Sequence, residues 1–377
     1  MTALLSQRSF WLLLHRGIGV FILVFIVIAG LTGSAITFWR AIDNWLNPAW
    51  YQVTVGENTH SLNALSAQVS HNYPKATIHG IILAKDNTSS VIFYLAGEST
   101  GIDEVFINPY TGQILGDRDI DRTSLARSHL MPFLYRLHYS LGLGSFGKYL
   151  LGIVTVLWLV VTLIGIWLAW PKKNKWKKAL SIKHTAGSSR LMFDLHRSFG
   201  LIFSVLFLLI LWTGLWWNMD VVIRPVITSI FPVTPPFHPA SETISQTDNG
   251  FDNAADVALK KRPDTEAYYL RNHSEKGFYT VYLREKGSVG PYGDIFVFVG
   301  LDGTILHIDE PQNYLSGDSY AAWQLPLHTG QILGVSGRII WMVAGFIPLL
   351  LSITGVMLWL RKLRLKNAKK QTYTTFV

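Results

Sequence analysis

The sequence contains no cysteine. Without thiols the chain forms no disulfide, binds no iron–sulfur cluster through cysteine, carries no cysteine nucleophile and attaches no c-type haem covalently. Charge is also scarce, since Asp, Glu, Lys and Arg make up 15% of the residues, against about 25% in soluble proteins. Hydrophobic residues make up 49%. This composition excludes an ordinary soluble enzyme or a disordered chain and indicates a membrane protein.

Common cofactor motifs are missing as well. The sequence has no Walker loop, no dinucleotide glycine fingerprint and no HExxH motif. We identify no catalytic residue, and any electrons that the protein handles must come from a partner protein or a membrane quinol.

Apolar residues occur in four runs long enough to cross a bilayer, which takes about 20 residues. We predict spans at residues 1–40, 148–171, 196–218 and 338–361. The first run is about twice the length of a signal-peptide core of ~7–15 residues, so we expect it to remain as an anchor.

The distribution of charge predicts the orientation of these spans. Residues 172–195 and the tail 362–377 are rich in Lys and Arg, whereas the long loops 41–147 and 219–337 contain nearly all the Asp and Glu. The positive-inside rule places the basic segments and both termini in the cytoplasm and both long loops on the other side. The net charge of +9 therefore reflects membrane topology and does not indicate a nucleic-acid partner.

The two halves of the sequence resemble each other. Four short motifs recur at an offset of 181 or 190 residues, so each half is expected to consist of a span, an outside domain and a second span. The matched segments are Leu14-His15-Arg16 with Leu195-His196-Arg197, Leu31-Thr32-Gly33 with Trp212-Thr213-Gly214, Leu137-His138 with Leu327-His328, and Gly147-Lys148 with Gly337-Arg338.

Both outside domains have a mixed α/β pattern, with helices predicted near residues 62–70 and 253–260. The predicted strands cover residues 91–95, 104–107, 113–115, 279–283, 295–299 and 304–306. The predicted fold class is therefore an α-helical membrane protein, in which a four-helix transmembrane bundle carries two outside α/β modules and the whole chain is internally duplicated.

Four of the twelve histidines recur in both halves. His15 and His196 begin the first and third spans, and His138 and His328 precede the second and fourth. Two pairs at two depths of a bundle are the geometry of two bis-histidine sites. A b-type haem takes one imidazole on each ring face, so we predict two non-covalent haem b groups, one held by His15 with His196 and one by His138 with His328.

Glycines and cations near these histidines favour the same interpretation. Glycines one helical turn from a ligand leave room for a flat macrocycle, and deeper glycines allow helices to pack closely or admit the ring. These residues are Gly19, Gly200, Gly30, Gly33, Gly165, Gly214 and Gly355. Haem propionates need cations near the membrane surface, and the predicted partners are Arg16, Arg197, Lys148 and Arg338.

Other interpretations of the histidines remain open. Histidines at a membrane interface can direct their polar atoms to water, and glycines can serve only to pack helices. Zinc fits poorly, because each pair lacks a nearby duplicated carboxylate. A proton relay is also conceivable in a membrane protein, but the spans contain no duplicated Asp or Glu.

The duplicated histidine motifs resemble those of the PepSY-associated transmembrane proteins, iron-regulated proteins of the Gram-negative inner membrane. The strand–turn–strand units at residues 104–115 and 295–306 look like two PepSY modules. The resemblance covers nearly the whole chain. It implies that both long loops are periplasmic.

Family members of this layout include inner-membrane ferric-siderophore reductases. The resemblance therefore implies a lipid-embedded oxidoreductase that passes electrons from a quinol or a cytoplasmic reductase to a periplasmic ferric siderophore, whose oxygen ligands hold Fe(III) far better than Fe(II). One alternative is a haem b electron-transfer subunit for another periplasmic acceptor. Another is a haem-free PepSY protein that binds or inhibits a peptidase.

Overall fold

The computed structural model describes residues 8–97, 101–185, 187–237, 248–285 and 294–374. The chain forms two compact units. The helical unit comprises Met1–Thr37, Leu134–Pro225 and Leu327–Val377, and the sheet unit comprises Phe38–Phe133 and Val226–Pro326.

The secondary-structure elements follow in chain order. The helices are α1 (Arg8–Ile36), α2 (Trp39–Leu46), α3 (Pro48–Tyr51), α4 (Leu62–Asn72), α5 (Leu130–Ser140), α6 (Gly144–Ala169), α7 (Trp176–Leu180), α8 (Ser188–Asn218), α9 (Asp220–Ile230), α10 (Gly250–Lys261), α11 (Ser316–Thr329) and α12 (Gly334–Thr374). The strands are β1 (Thr77–Ile82), β2 (Val91–Ala96), β3 (Glu104–Ile107), β4 (Ile114–Arg118), β5 (Thr265–His273), β6 (Phe278–Glu285), β7 (Ile295–Gly300) and β8 (Ile305–Asp309).

Four helices of the described chain are long and apolar enough to cross a membrane: α1, α6, α8 and the segment Gln331–Leu365 that contains most of α12. Each packs against two others, so that the contacts run α1–α6–α8–α12 and back to α1. Large apolar side chains remain exposed on these helices, such as Phe21 at 71% and Val205 at 76%. Such exposure suits a lipid-facing surface. The chain is a multi-pass membrane protein.

Two of the spanning helices are longer than the apolar pattern predicts. Helix α8 begins at Ser188, within the predicted basic loop, directly after Gly187 in the left-handed region at φ 81°. Helix α12 continues past residue 361 as far as Thr374. Helical hydrogen bonding does not require apolar residues, so hydropathy locates the membrane-embedded part of a helix but not its ends.

Glycine allows two tight helical hairpins before the second and fourth spans. A Cβ built at Gly147 would collide with the carbonyl oxygen of Ser140, and one at Gly337 with that of Gly330. The Gly-Lys and Gly-Arg motifs therefore mark the places where α5 and α11 turn back against the start of a span. Elsewhere, the Ser34 hydroxyl donates to the carbonyl of Met342 at 2.7 Å, which joins α1 to α12.

The sheet unit contains one eight-stranded sheet in the order β4-β3-β2-β1-β5-β6-β7-β8. Each half of the chain contributes a four-stranded antiparallel meander, and β1 pairs with β5 at the centre. The sequence predicted two modules, and the strands instead form one continuous sheet. Helices α4 and α10 cover one face, where Val69 and Ala258 pack on Ile81 and Leu270, all four at most 1% exposed.

A buried ion cluster fastens α2 and α3 to the first half of this sheet. The Arg118 guanidinium, 1% exposed, pairs with Asp43 at 2.7 Å and Glu104 at 2.5 Å. The Tyr51 hydroxyl donates to Asp43 at 2.6 Å, and burial raises the pKa of Tyr51, which keeps it a donor. Two carboxylates around one buried guanidinium satisfy its charge and donors. This cluster was not predicted from the sequence.

Candidate functional site

The first histidine pair lies near the amino-terminal ends of two spanning helices. His15 extends from α1 and His196 from α8, and both rings are partly buried. Their ring centroids are 6.2 Å apart, with the planes at 89°.

The second pair lies on the two short helices that precede spans. His138 is close to the end of α5 and His328 to the end of α11. Their ring centroids are also 6.2 Å apart, with the planes at 55°. The structure thus brings together the residues of both predicted pairs.

Each of the four imidazoles contacts a spanning helix other than its own. In three cases Nδ1 donates to a backbone carbonyl of that helix. The partners are the Val161 carbonyl on α6 for His15 (3.1 Å), the Ala29 carbonyl on α1 for His138 (3.0 Å) and the Ile210 carbonyl on α8 for His328 (3.1 Å). For His196 the partner of Nδ1 is the Thr354 hydroxyl on α12 (3.0 Å), and the backbone of Leu351 on the same helix interacts with the ring.

A glycine follows four residues after each backbone partner and makes room for the ring. The distances from a Cβ built at the glycine to the Cε1 atom of the imidazole are 2.9 Å for Gly33 and His138, 3.0 Å for Gly165 and His15, 3.3 Å for Gly355 and His196, and 3.4 Å for Gly214 and His328. We call these three residues a cradle: the backbone partner, the residue three positions after it and the glycine four positions after it. Gly30 has a different role, because it packs α1 against Gly345 of α12.

Threonine occupies the third position in three of the cradles. The hydroxyl oxygen lies 3.2 Å from Nδ1 of His138 at Thr32, 3.0 Å from that of His328 at Thr213 and 3.0 Å from that of His196 at Thr354. Thr32 and Thr213 belong to a motif that recurs in the sequence, but no role was predicted for them.

The threonine contacts determine the tautomer of these three imidazoles. Each hydroxyl already donates its proton to a carbonyl of its own helix, so it accepts from Nδ1. The backbone carbonyl is also an acceptor, so Nδ1 carries the proton and Nε2 keeps a lone pair. Within the ranges that the structure describes, Nε2 of none of the four rings makes a hydrogen bond. A neutral imidazole with an open Nε2 is able to bind a metal.

The two pairs lie at different depths of the bundle. On α1, Ala29 contacts His138 and follows His15 by 14 residues. On α8, Ile210 contacts His328 and follows His196 by the same 14 residues. At 1.5 Å per residue, each interval corresponds to about 21 Å along the helix. This distance separates the pairs across most of an apolar layer about 30 Å thick.

The predicted cations have different surroundings. Arg16 makes no hydrogen bond or ion pair with another described residue. Arg197 donates to the carbonyls of Lys178, Ala179 and Ser181 and pairs with Asp194 at 3.0 Å.

The two cations at the starts of the second and fourth spans are both engaged. Lys148 pairs with Asp220 at 2.8 Å, and Arg338 donates to the carbonyl of Thr37. Both cations therefore join neighbouring helices at the end of the bundle where the second histidine pair lies.

Larger ligand clusters are not found in the part of the chain that the structure describes. No three His, Asp, Glu or Cys side chains there lie close enough together to hold a metal ion. Each histidine pair thus offers two protein ligands.

The sequence matches the family described as the PepSY-associated TM region over residues 12–362. This match covers most of the 377 residues, and the chain belongs to this family. A comparison with curated proteins finds no match.

Proposed function

We propose that the chain is a di-haem b oxidoreductase of the bacterial inner membrane that reduces ferric siderophores on the periplasmic side. One observation carries the proposal: two histidine pairs at two depths have the same ring separation, the same Nδ1 anchoring and an open Nε2. A structural role for histidine alone does not require these shared features. Haem b, when bound, supplies reversible one-electron exchange between Fe(III) and Fe(II).

The ring separation fits a metal between the imidazoles. Two metal–nitrogen bonds of about 2.0 Å and two ring radii of about 1.1 Å give about 6.2 Å between centroids, and both pairs measure 6.2 Å. A metal with two protein ligands needs its remaining ligands from another source, and a porphyrin supplies four nitrogens. The pairs therefore fit haem better than a bare ion.

The chain holds its proposed ligands in an orientation that suits this use. Four glycines let the rings press against a neighbouring helix, and four backbone contacts fix their rotation. Arg16 and Arg197 would place positive charge next to the first pair, and Lys148 and Arg338 next to the second. Arg16 is the proposed partner of a propionate, because it makes no hydrogen bond or ion pair with another described residue. Arg197, Lys148 and Arg338 are engaged by protein carbonyls or carboxylates and would contribute positive charge only.

We propose that the His138–His328 pair is the periplasmic site from which the substrate receives its electron. The basic segments at residues 172–195 and 362–377 support cytoplasmic termini through the positive-inside rule. On this topology the second pair lies at the periplasmic end. The electron donor at the other end would be a quinol or a cytoplasmic reductase.

The siderophore assignment rests on the family resemblance, which extends to ferrioxamine B reductases. It is tested by reducing the purified full-length protein with dithionite, removing the excess and mixing it with ferric ferrioxamine B. We expect the reduced haem bands to decay as Fe(II) appears in a ferrous chelator. The matched control is the Ga(III) complex, which has the same shape but does not accept the electron.

Two results would contradict the proposal in different ways. Reduced haem bands that persist with the ferric complex would contradict the siderophore function and favour a subunit that serves another periplasmic acceptor. A colourless protein would contradict haem binding and favour a PepSY protein that regulates a peptidase.

A further inference from the structure

The four cradles are alike except at one position. Three have threonine between backbone partner and glycine, at Thr32, Thr213 and Thr354, and the cradle of His15 has Ile164 instead. All four residues are buried, with exposures of 6%, 0%, 1% and 6% in that order. The four side chains are therefore buried to a similar extent, and the cradles differ in whether a hydroxyl is present.

The hydroxyl is held so that it acts on the imidazole. Thr32 donates to the carbonyl of Ile28 at 2.6 Å and Thr354 to that of Leu350 at 2.8 Å. Each hydroxyl also lies farther, at 3.3 Å and 3.2 Å, from the carbonyl that follows, which is the backbone partner of the histidine. The lone pairs of Oγ1 are thus left for Nδ1–H.

We propose, on the basis of the function proposed above, that these threonines are positioning residues that lower the reduction potential of the site they face. Two acceptors on Nδ1–H draw its proton away from the ring and make Nε2 a stronger donor to the metal. A stronger donor favours Fe(III) over Fe(II). The His138–His328 pair has two such hydroxyls, whereas the His15–His196 pair has one, because Ile164 offers none.

The asymmetry makes the two sites chemically unequal although their ring separations are the same. His15 is the imidazole with a carbonyl as its single acceptor, at 3.1 Å, and is therefore the weakest donor of the four. Ile164→Thr would add the missing hydroxyl, and its natural donor target would be the carbonyl four residues earlier, as in the other cradles.

The test is redox titration of the full-length protein and three variants, with haem content measured on the same samples. Thr213→Val removes a hydroxyl at almost constant volume. We expect it to change the Fe(III)/Fe(II) equilibrium of the His138–His328 site three- to tenfold towards Fe(II), which is about +30 to +60 mV. Thr213→Ser should restore the wild-type value, and Ile164→Thr should shift the His15–His196 site in the opposite direction.

The outcomes separate this inference from the function on which it rests. Absence of haem from the wild-type protein would contradict both the proposed function and this inference. Two haems per chain with unchanged potentials in Thr213→Val and Ile164→Thr would overturn the inference alone, as would a shift in Thr213→Ser equal to that in Thr213→Val. If Thr213→Val fails to bind haem, the reduction potential of the His15–His196 site in Ile164→Thr still tests the inference. A lower potential supports it, and an unchanged or higher potential contradicts it.

Discussion

The two histidine pairs make the same kinds of contact but lie on different kinds of helix. His15 and His196 belong to long helices that cross the bundle, so the bundle itself fixes their position. His138 and His328 belong to short helices that turn back on a span, through glycines such as Gly142 and Gly330 in left-handed conformations at φ 70° and 75°. A cradle of backbone carbonyl and glycine can therefore hold an imidazole from either kind of helix.

The two histidine pairs have different neighbours in the sequence. The short helices α5 and α11 follow strands β4 and β8 in the chain, so the second pair is adjacent in sequence to the sheet unit. The first pair is adjacent in sequence to the basic segments. We therefore expect the second pair to face the substrate and the first pair to face the electron donor.

The strongest difference is expected in a labelling experiment that tests which end of the bundle faces which compartment. The chain has no cysteine, so single-cysteine variants can be labelled without background. In intact cells, a membrane-impermeant maleimide should label Asn87→Cys in the sheet unit and should label Lys178→Cys only after lysis. Labelling of Lys178→Cys in intact cells would reverse the assignment of the two pairs.

Replacement of one histidine should abolish reduction of the substrate. We expect His328→Ala to lose oxidation by ferric ferrioxamine B in rapid mixing, because the second pair is the proposed exit, while the first site remains reducible. His71→Ala, at an exposed position on α4, is the matched control and should keep the wild-type rate. A wild-type rate in His328→Ala would place the exit elsewhere.

The glycines provide a graded test within each pair. The cradles of His138 and His15 are the tight ones, with built Cβ distances of 2.9 Å at Gly33 and 3.0 Å at Gly165. We expect Gly33→Ala and Gly165→Ala each to reduce haem at one site several-fold, since the added methyl must displace the ring.

The looser cradles serve as controls for that test. The corresponding distances are 3.3 Å at Gly355 and 3.4 Å at Gly214, so the alanine variants at these positions should retain most of their haem. Equal loss in all four variants would show that the glycines act through helix packing and not through the rings.

The smallest effect is expected at the surface of the second site. Lys148 and Asp220 are 28% and 32% exposed in their side chains, and an ion pair at such a site contributes about 0–1 kcal/mol. Lys148→Met should therefore lower thermal stability slightly and leave both haems in place. Loss of a haem from this variant would assign Lys148 a direct part in binding.

Much of the site follows from the short motifs that recur in the two halves of the sequence. The repeat selects four histidines out of twelve and pairs them, because residues that recur in both halves occupy equivalent places. It also selects Gly33, Gly165, Gly214 and Gly355. The threonine role could not be found in this way, since a hydroxyl that meets an imidazole on another helix depends on how the helices are rotated.

The fold shows the same division between local pattern and long-range contact. Six strands were predicted from apolar runs, but β1 and β5 were not. Strand β1 includes His79 and Gly80 in its middle, and β5 is interrupted by a register shift between Ala267 and Tyr269, so neither has a regular alternation. Their pairing joins the two halves of the sheet. The cluster of Asp43, Glu104 and Arg118 was missed because its members are far apart in the sequence.

Haem content and absorption spectra show whether the two histidine pairs are two haem sites. We expect two non-covalent haems per wild-type chain, with spectra of six-coordinate low-spin haem before and after reduction by dithionite. Alanine at any one of His15, His196, His138 or His328 should remove about half of the haem and leave the other site spectrally intact. A wild-type protein without a Soret band, or unchanged haem content in all four variants, would show that the histidine pairs are not haem sites.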